Sequence, residues 1–409
     1  MPKTAIDLVL RGASQVLTCD PTPGDPLGRR IGVGVAIQGE NIVAIAPLPD
    51  LQEAFDLSAA QVLDLDGKIL APGFVDCHTH LVFGGTRAQE YAARLTQSPQ
   101  EVAALGIPTG IQATVAMTRG STAQALQESA LQRLARMLRH GTTTVESKSG
   151  YGLSVEKELQ LLQINCQLRQ SQPLDIVSTF LGAHDFPPEI PRQRYLDILV
   201  QEMIPQVAER GLAEFCDVYC DEGYYSVEES RRILETGLRY GLRAKIHVDA
   251  YANIGGCEMA AELEAVSADH LNYTTPAEID RLAGAGVVGV VMPGLDFAVR
   301  HPHPFNARRM LDMGLTVGLA TDLCPGCWME SMQLVMQLAC RLYKLSPEEA
   351  LLAATAGAAK ACGLTDRGVL QPGKQADIQV WDLPAFEDLV YRLGNNAVTM
   401  VIKRGQVVL

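Results

Sequence analysis

No apolar run in this 409-residue chain approaches the roughly 20 residues needed to cross a bilayer. Nor does the segment Met1-Pro2-Lys3-Thr4-Ala5-Ile6-Asp7 contain the hydrophobic stretch of a secretory signal. Repeats, coiled-coil heptads and low-complexity tracts are missing, which excludes solenoids and disordered scaffolds. Positive charge is short: 34 Lys and Arg against 47 Asp and Glu give a net charge of −13, which argues against a nucleic-acid partner. It leaves a small substrate open, because a local basic pocket can override the global field. Ten cysteines in a chain of this size do not make a disulfide framework. Most of them, such as Cys166, Cys216, Cys340 and Cys362, sit in apolar segments, as reduced buried cysteines do. A reducing, cytoplasmic location is the expectation. What is present in quantity is apolar residues, 47% of the chain, enough for a large core. The length is long for one domain and short for three.

Residues 1–66 read as short alternating strands, Ile6–Leu10, Gly32–Ile37, Asn41–Ala46 and Gln61–Asp66, punctuated by Gly, Pro and Asp. The tail returns to that style at Ala376–Asp382 and Val398–Arg404. Residues 1–66 and 366–409 are therefore expected to form one small β-sandwich domain, with residues 67–365 inserted between them. The middle alternates strand and helix. Strand candidates are Phe74–His80, Thr142–Lys148, Ile176–His184, Glu214–Cys220, Ala244–Asp249, Ala268–Leu271, Val287–Pro293 and Thr316–Asp322, with helical patterns such as Ser121–Arg139, Val155–Leu168 and Glu258–Ala265 between them. Eight alternations predict an α/β fold, a (β/α)₈ TIM barrel. Residues 85–140 are expected to be a helical, lid-like insertion.

The richest stretch is Phe74-Val75-Asp76-Cys77-His78-Thr79-His80. Side chains at i and i+2 leave a strand on one face, so both imidazoles can reach one metal ion. Pro72-Gly73 before it and Gly84-Gly85 after it confine the pair to the end of a short strand. His184, His247, His270 and Asp322 also fall at the C-terminal ends of predicted strands, whereas His140, His301 and His303 do not. In a barrel those ends converge on one site. Singly, each histidine reads as a core residue bonded to a carbonyl. Together they point to a metal centre of three histidines and a carboxylate, suited to one divalent ion, Zn²⁺ or Fe²⁺. Ligands from distant strands fit a catalytic site with room for water, whose pKa the ion would lower towards ~7. Asp322 can touch the metal and take the proton, and His270 is placed to steer the water or an oxyanion.

These residues resemble the amidohydrolase superfamily. Pro72–Arg87, Glu146–Leu153, Thr179–His184, Phe215–Cys220, Ser267–Leu271, Leu370–Asp377 and Tyr391–Gly394 are similar to the imidazolonepropionase family within it, over nearly the whole chain. The resemblance implies hydrolysis of 4-imidazolone-5-propanoate to N-formimino-L-glutamate, a step of histidine breakdown. It implies metal binding by His78, His80, His247 and Asp322, and substrate binding by Arg87, Tyr151 and His184. It also implies a small carboxylate-bearing heterocycle as substrate and a homodimer as the assembly. A propanoate suits the two-bond grip of a guanidinium, and Arg87 lies in the loop just past the metal strand.

The chain departs from the family at proton- and substrate-handling positions. Ala250 stands where the family has a glutamate three residues after the strand-5 histidine. After Asp322 a TDxNPGS-like pattern becomes Thr321-Asp322-Leu323-Cys324-Pro325-Gly326-Cys327. Cys324 and Cys327 match a CxxC redox or zinc spacing, but no second pair accompanies them, and two small pocket-lining residues are the simpler reading. The lid segment Leu105–Ile111 is altered as well. The alternatives are an amidohydrolase of different specificity, a deaminase or another cyclic-amide hydrolase, and a barrel without catalysis.

Overall fold

The computed structural model describes residues 3–409. Eight parallel strands pair in chain order: β1 (Phe74–Asp76), β2 (Thr142–Lys148), β3 (Asp175–Ala183), β4 (Phe215–Cys220), β5 (Arg243–Val248), β6 (Ser267–His270), β7 (Val288–Val291) and β8 (Val317–Leu319). Parallel neighbours need crossovers, and helices such as Ala123–Arg139, Val155–Ser171 and Val227–Arg239 supply them. Each of these starts where a Ser or Thr hydroxyl (Thr122, Ser154, Ser226) accepts a first-turn N–H. The architecture is the expected (β/α)₈ barrel.

Two strands are shorter than the sequence pattern suggests. β1 ends at Asp76 and β8 at Leu319, so His78, His80 and Asp322 lie beyond regular strand. The chain there pairs across the barrel seam instead: Asp322 N–H donates to His78 O at 3.1 Å and His80 N–H to Leu323 O at 2.9 Å. Thr321 ties the same seam from below, its hydroxyl donating to Asp76 at 2.6 Å. The barrel therefore closes at the level of the site rather than along a ladder.

Strand alternation sorts the interior into levels. An apolar floor contains Val75, Val177, Phe215, Val288 and Val290, closed by the small helix Ala358–Ala361. Above it lie Glu146 and Lys148 from β2, Asp217 from β4, Lys245 from β5 and Asp269 from β6, all buried. The histidines stand above these. Helix Ala123–Arg139 braces the segment after the histidine pair through Arg133, which donates to Leu81 O at 2.7 Å and covers the Phe83 ring at 3.5 Å. Burial brings this guanidinium down to about 10.

The chain ends form two sheets. One runs in the order Gln406–Val407, Val398–Lys403, Ile378–Trp381, Ile69–Pro72, Gln15–Leu17, Arg29–Arg30; the other runs Asn41–Ala46, Gly34–Gln38, Leu8–Arg11, Gln61–Asp64. Leu8, Leu10, Val35, Ile37, Leu70, Ile378, Val380 and Ile402 share the core between them. Ile69–Pro72 lies past residue 66 yet pairs with Ile378–Trp381, and Gly73 leads from it directly into β1. The insertion after β1 holds helices Ala88–Arg94, Pro99–Ala104 and Gly110–Arg119. It is shorter than 85–140, because Ala123–Arg139 is the regular crossover to β2. Among the described residues no helix is long and apolar enough to cross a membrane.

Candidate active site and metal centre

The structure brings together all six chemically capable residues from the strand ends. Nε2 of His78 and of His80 lie 3.7 and 3.8 Å from Oδ1 of Asp322. Ring nitrogens of His78, His247 and His270, and of His80, His184 and His247, also lie within 4.8 Å of one another. Backbone geometry aims them: Asp249, His270, Leu271 and Asp322 follow β5, β6 and β8 with φ of 54°, 86°, 61° and 48°. Non-glycine residues avoid this left-handed region at a cost of about 1–3 kcal/mol each, so the barrel holds strain at its mouth.

The donor set fits a divalent metal ion. His78 Nε2, His80 Nδ1, His247 Nε2 and Asp322 Oδ1 are buried with no hydrogen-bond partner. Buried polar atoms are normally paired, so the unpaired His78 Nε2, His247 Nε2 and Asp322 Oδ1 mark a ligand position, which His80 faces with its other nitrogen, Nε2, 3.8 Å from Asp322 Oδ1. The opposite ring nitrogens are held. His78 Nδ1 meets Asp269 Oδ2 at 2.6 Å, and His247 Nδ1 meets Asp217 Oδ2 at 3.1 Å. That leaves each Nε2 unprotonated for a cation. Burial drives His78, His80 and His247 well below the usual histidine range, so the rings are neutral, as ligands must be. The charge balance agrees: Asp76, Glu146, Asp217, Asp269 and Asp322 are buried against only Lys148 and Lys245. A divalent cation would offset the excess. Burial pushes Asp322 well above the carboxylate range and Asp76 to about 7.

The cluster opens into a cavity of about 440 Å³ lined by His80, Arg87, Tyr151, His184, Tyr219, Tyr224, His247, Tyr251, His270, Asp322 and Cys324, among others. The three residues expected to hold substrate are all present. Arg87 is not free, however. Its Nε and Nη2 grip Glu90 at 2.6 and 2.9 Å, and Glu90 also meets Arg94 at 2.9 Å. Nη1 points elsewhere, towards Gly326, where an added Cβ would lie 3.4 Å from it. His184 accepts a fixed orientation from Gly150, whose carbonyl lies 3.1 Å from Nδ1. Only glycine permits this: φ is 110°, and a Cβ would fall 2.9 Å from His184 Nδ1. With Nδ1 as donor, Nε2 is left as an acceptor. Burial brings His184 and His270 down to about 4.

The departures separate on inspection. Cys324 lines the cavity, whereas Cys327 is turned behind it, with Sγ 3.8 Å from Thr321 O. They pair as a tight hairpin, each N–H donating to the other carbonyl at 3.1 Å. Burial raises both thiols far above the usual value, so they are protonated and poorly nucleophilic, unlike redox cysteines. Ala250 is buried, and its carbonyl accepts from His301 Nε2 at 2.9 Å. Of the residues lining the cavity, Glu90 and Asp322 alone carry carboxylates, and Glu90 is occupied by arginines.

Sequence reasoning missed the groups behind the site: Glu146, Lys148, Asp217, Lys245 and Asp269. A readable signal existed. Glu146 and Lys148, Asp217 and Tyr219, and Lys245 and His247 are i, i+2 pairs, so each pair shares the inward face of its strand.

A parallel barrel with histidines and an aspartate gathered at its C-terminal mouth defines a metal-type hydrolase. A sequence profile described as Amidohydrolase family matches residues 103–409. Imidazolonepropionases from Shouchella clausii and Geobacillus kaustophilus are each 42% identical over 98% of this chain and cover 92% and 97% of their own lengths. One from Haloarcula marismortui is 40% identical over 99% of the chain and 96% of its own. The chain belongs to the amidohydrolase family and, within it, to the imidazolonepropionases. The fold is shared with a zinc-bound adenosine deaminase from Xanthomonas campestris, at 20% identity, TM-score 0.77 and coverage of 100% of this chain and 94% of that one. It is shared also with zinc-complexed atrazine chlorohydrolase from Arthrobacter aurescens TC1, at 19% identity, TM-score 0.72 and coverage of 98% and 95%.

Proposed function

We propose that this hydrolase opens 4-imidazolone-5-propanoate, or a close cyclic-amide analogue, to an N-formimino-L-glutamate-type product, the step of histidine degradation that its relatives' name denotes. The observation that carries the reading is the set of unpartnered atoms on His78, His247 and Asp322, with His80 Nε2 3.8 Å from Asp322 Oδ1, at the floor of an arginine-bearing cavity. These four residues would hold one ion, Zn²⁺ or Fe²⁺, which supplies Lewis-acid activation of water and of the ring carbonyl. Asp322 takes the proton of the attacking water and returns it to the ring nitrogen. Its carboxylate faces the cavity, within reach of both the water and the ring. His270, neutral and facing the cavity, orients the water or the developing oxyanion. His184 Nε2 accepts from a ring N–H, and the Tyr151 hydroxyl fixes the ring beside it. Arg87 binds the propanoate through Nη1, with Glu90 holding the guanidinium plane.

Ala250 supports ring opening, of the imidazolone or a close analogue, over deamination. With no glutamate there, proton transfer rests on Asp322, which serves best when the leaving nitrogen stays tethered in the opened product. The test is product mass spectrometry on imidazolonepropanoate, hydantoins and lactams. We expect ring opening of one of these, with imidazolonepropanoate turned over slowly and improved by Ala250→Glu. Fast turnover by the unmodified chain would show that the glutamate is dispensable. Ammonia release would indicate deamination, and a chain without stoichiometric metal would indicate a barrel without catalysis. The same reading takes residues 1–66 plus 366–409, completed by the strand Ile69–Pro72, and the barrel that fills the rest of 67–365 as the two domains, with a homodimer in the cytoplasm as the working form. The ten free cysteines support the reducing location.

A further inference from the structure

Lys148 takes no part in the cavity, yet its ammonium meets three carboxylates at once. Nζ lies 2.7 Å from Asp217 Oδ2, 2.8 Å from Glu146 Oε1 and 3.4 Å from Asp269 Oδ2. The first two contacts are hydrogen bonds donated by the ammonium, and the third is an ion pair that holds the Asp269 carboxylate against the same charge. Two of the three are the groups that hold metal-site histidines. Asp269 Oδ2 is 2.6 Å from His78 Nδ1, and Asp217 Oδ2 is 3.1 Å from His247 Nδ1. A continuous arc thus runs His78, Asp269, Lys148, Asp217, His247 beneath the cavity. The neighbouring Lys245 also favours the Asp269 charge from a distance, but it makes no hydrogen bond or ion pair with Asp217 or Asp269. Lys245 is tied to the Cys77 and Ala361 carbonyls at 3.3 and 3.1 Å and approaches Glu146 only at 3.7 Å.

The geometry points to Lys148 as a positioning residue of the metal centre: one ammonium clamps Asp217 and Asp269, and through them fixes the rings of His78 and His247 together. This rests on the metal-site reading above. Asp217 and Asp269 offer oxygens within 4.8 Å of each other, buried from water. Two carboxylates so close in a dry interior repel strongly unless a cation lies between them. Each has another partner to turn towards: Ser267 Oγ donates to Asp269 Oδ1 at 2.6 Å and Val218 N–H to Asp217 Oδ1 at 2.7 Å. Without Lys148 the carboxylates would swing apart, and each would release the histidine it orients. Partners behind metal ligands are typically worth ~10–100-fold in metal affinity.

The test is Lys148→Met in the full chain, read by Zn²⁺ affinity in chelator competition, by the visible spectrum of the Co²⁺-loaded form, and by Tm of the metal-free protein. Zinc binding should weaken by ~10–100-fold and the Co²⁺ spectrum should shift. A purely structural role would lower Tm and leave both metal readouts at parent values, and that result overturns the proposal. Lys148→Met/Glu146→Gln removes the ammonium with a carboxylate that touches neither histidine, so the buried net charge is kept. If the single variant does not fold, this pair decides, with weakened zinc binding supporting the clamp and parent-like binding overturning it. Glu146→Gln alone is the control and should bind zinc within about threefold of the parent. Failure of the metal-site reading looks different: the unmodified chain would not take up one equivalent of zinc.

Discussion

Two ion networks sit at opposite ends of the barrel, one buried and one partly open to solvent, and they are built to different standards. At the N-terminal end of β3, Asp175 receives Arg367, Lys403 at 2.8 Å, Arg404 at 2.6 Å and Gln375 at 3.2 Å. Asp377 receives Lys403 at 2.6 Å and Gln375 at 2.8 Å. Lys403 and Arg404 belong to the terminal sheet and its turn, so this network staples that sheet to the barrel floor. None of its polar atoms is left without a partner among the described residues. At the other end, Lys148 and its carboxylates are likewise paired, but the histidines and Asp322 above them present unpaired atoms and strained backbone. Satisfied ions hold structure together. Unsatisfied ones are tolerated only where something else is to be bound.

The difference can be broken first at the mouth. His247→Ala removes a proposed ligand and should strip metal and abolish turnover, a loss of at least about 10³-fold, while the fold survives. Metal analysis beside circular dichroism checks this, and full metal occupancy in the variant would remove His247 from the ligand set.

Acid should separate the two ends in the metal-free protein. His184 and His270 have folded pKa values of about 4 against an unfolded value near 6.5, so the unfolded chain binds more protons between these limits. Their contribution is fully present above pH 6.5 and is lost as pH falls through about 4, up to about 3 kcal/mol for each. Asp175 behaves differently. Burial opposes its charge, but Lys403 and Arg367 outweigh that and hold its carboxyl well below the usual range. Its contribution is present above about 3.9 and survives until pH falls lower still. Asp76, raised to about 7, and Asp322 act with the opposite sign in the same window. The histidine contribution is therefore read as a difference in thermal unfolding: His270→Gln should lose less stability than the parent between pH 6.5 and 4, and an equal loss would contradict the burial of a neutral imidazole at the mouth.

At the seam, Asp175→Asn leaves Lys403, Arg367 and Arg404 without their shared anion. We expect a loss of about 3 kcal/mol, with zinc content and kcat per folded molecule unchanged. A fall in kcat with no fall in Tm would erase the distinction between the ends.

The smallest effect is expected at Arg87. Arg87→Ala should raise KM for a carboxylate-bearing substrate by an amount worth about 1.5–3 kcal/mol, with little change in kcat. Because Glu90 already takes Nε and Nη2, a value at the lower end is expected. An unchanged KM would assign the carboxylate to another group.

The sequence by itself determined the barrel, because alternating strand and helix periods leave few other solutions. It also picked out the residues that the structure gathers at the barrel mouth. Histidines at strand ends are visible without coordinates, since strand ends in a parallel barrel share one rim. The tertiary structure decided what those residues face. That Arg87 is held by Glu90 depends on how the helix Ala88–Arg94 lies over the cavity, and that Cys324 lines the cavity while Cys327 turns away depends on a hairpin only four residues long. Nor could spacing reveal that Lys148 bridges Asp217 and Asp269. These side chains come from three strands, and their meeting point is set by strand tilt and register, which only closure of the barrel fixes.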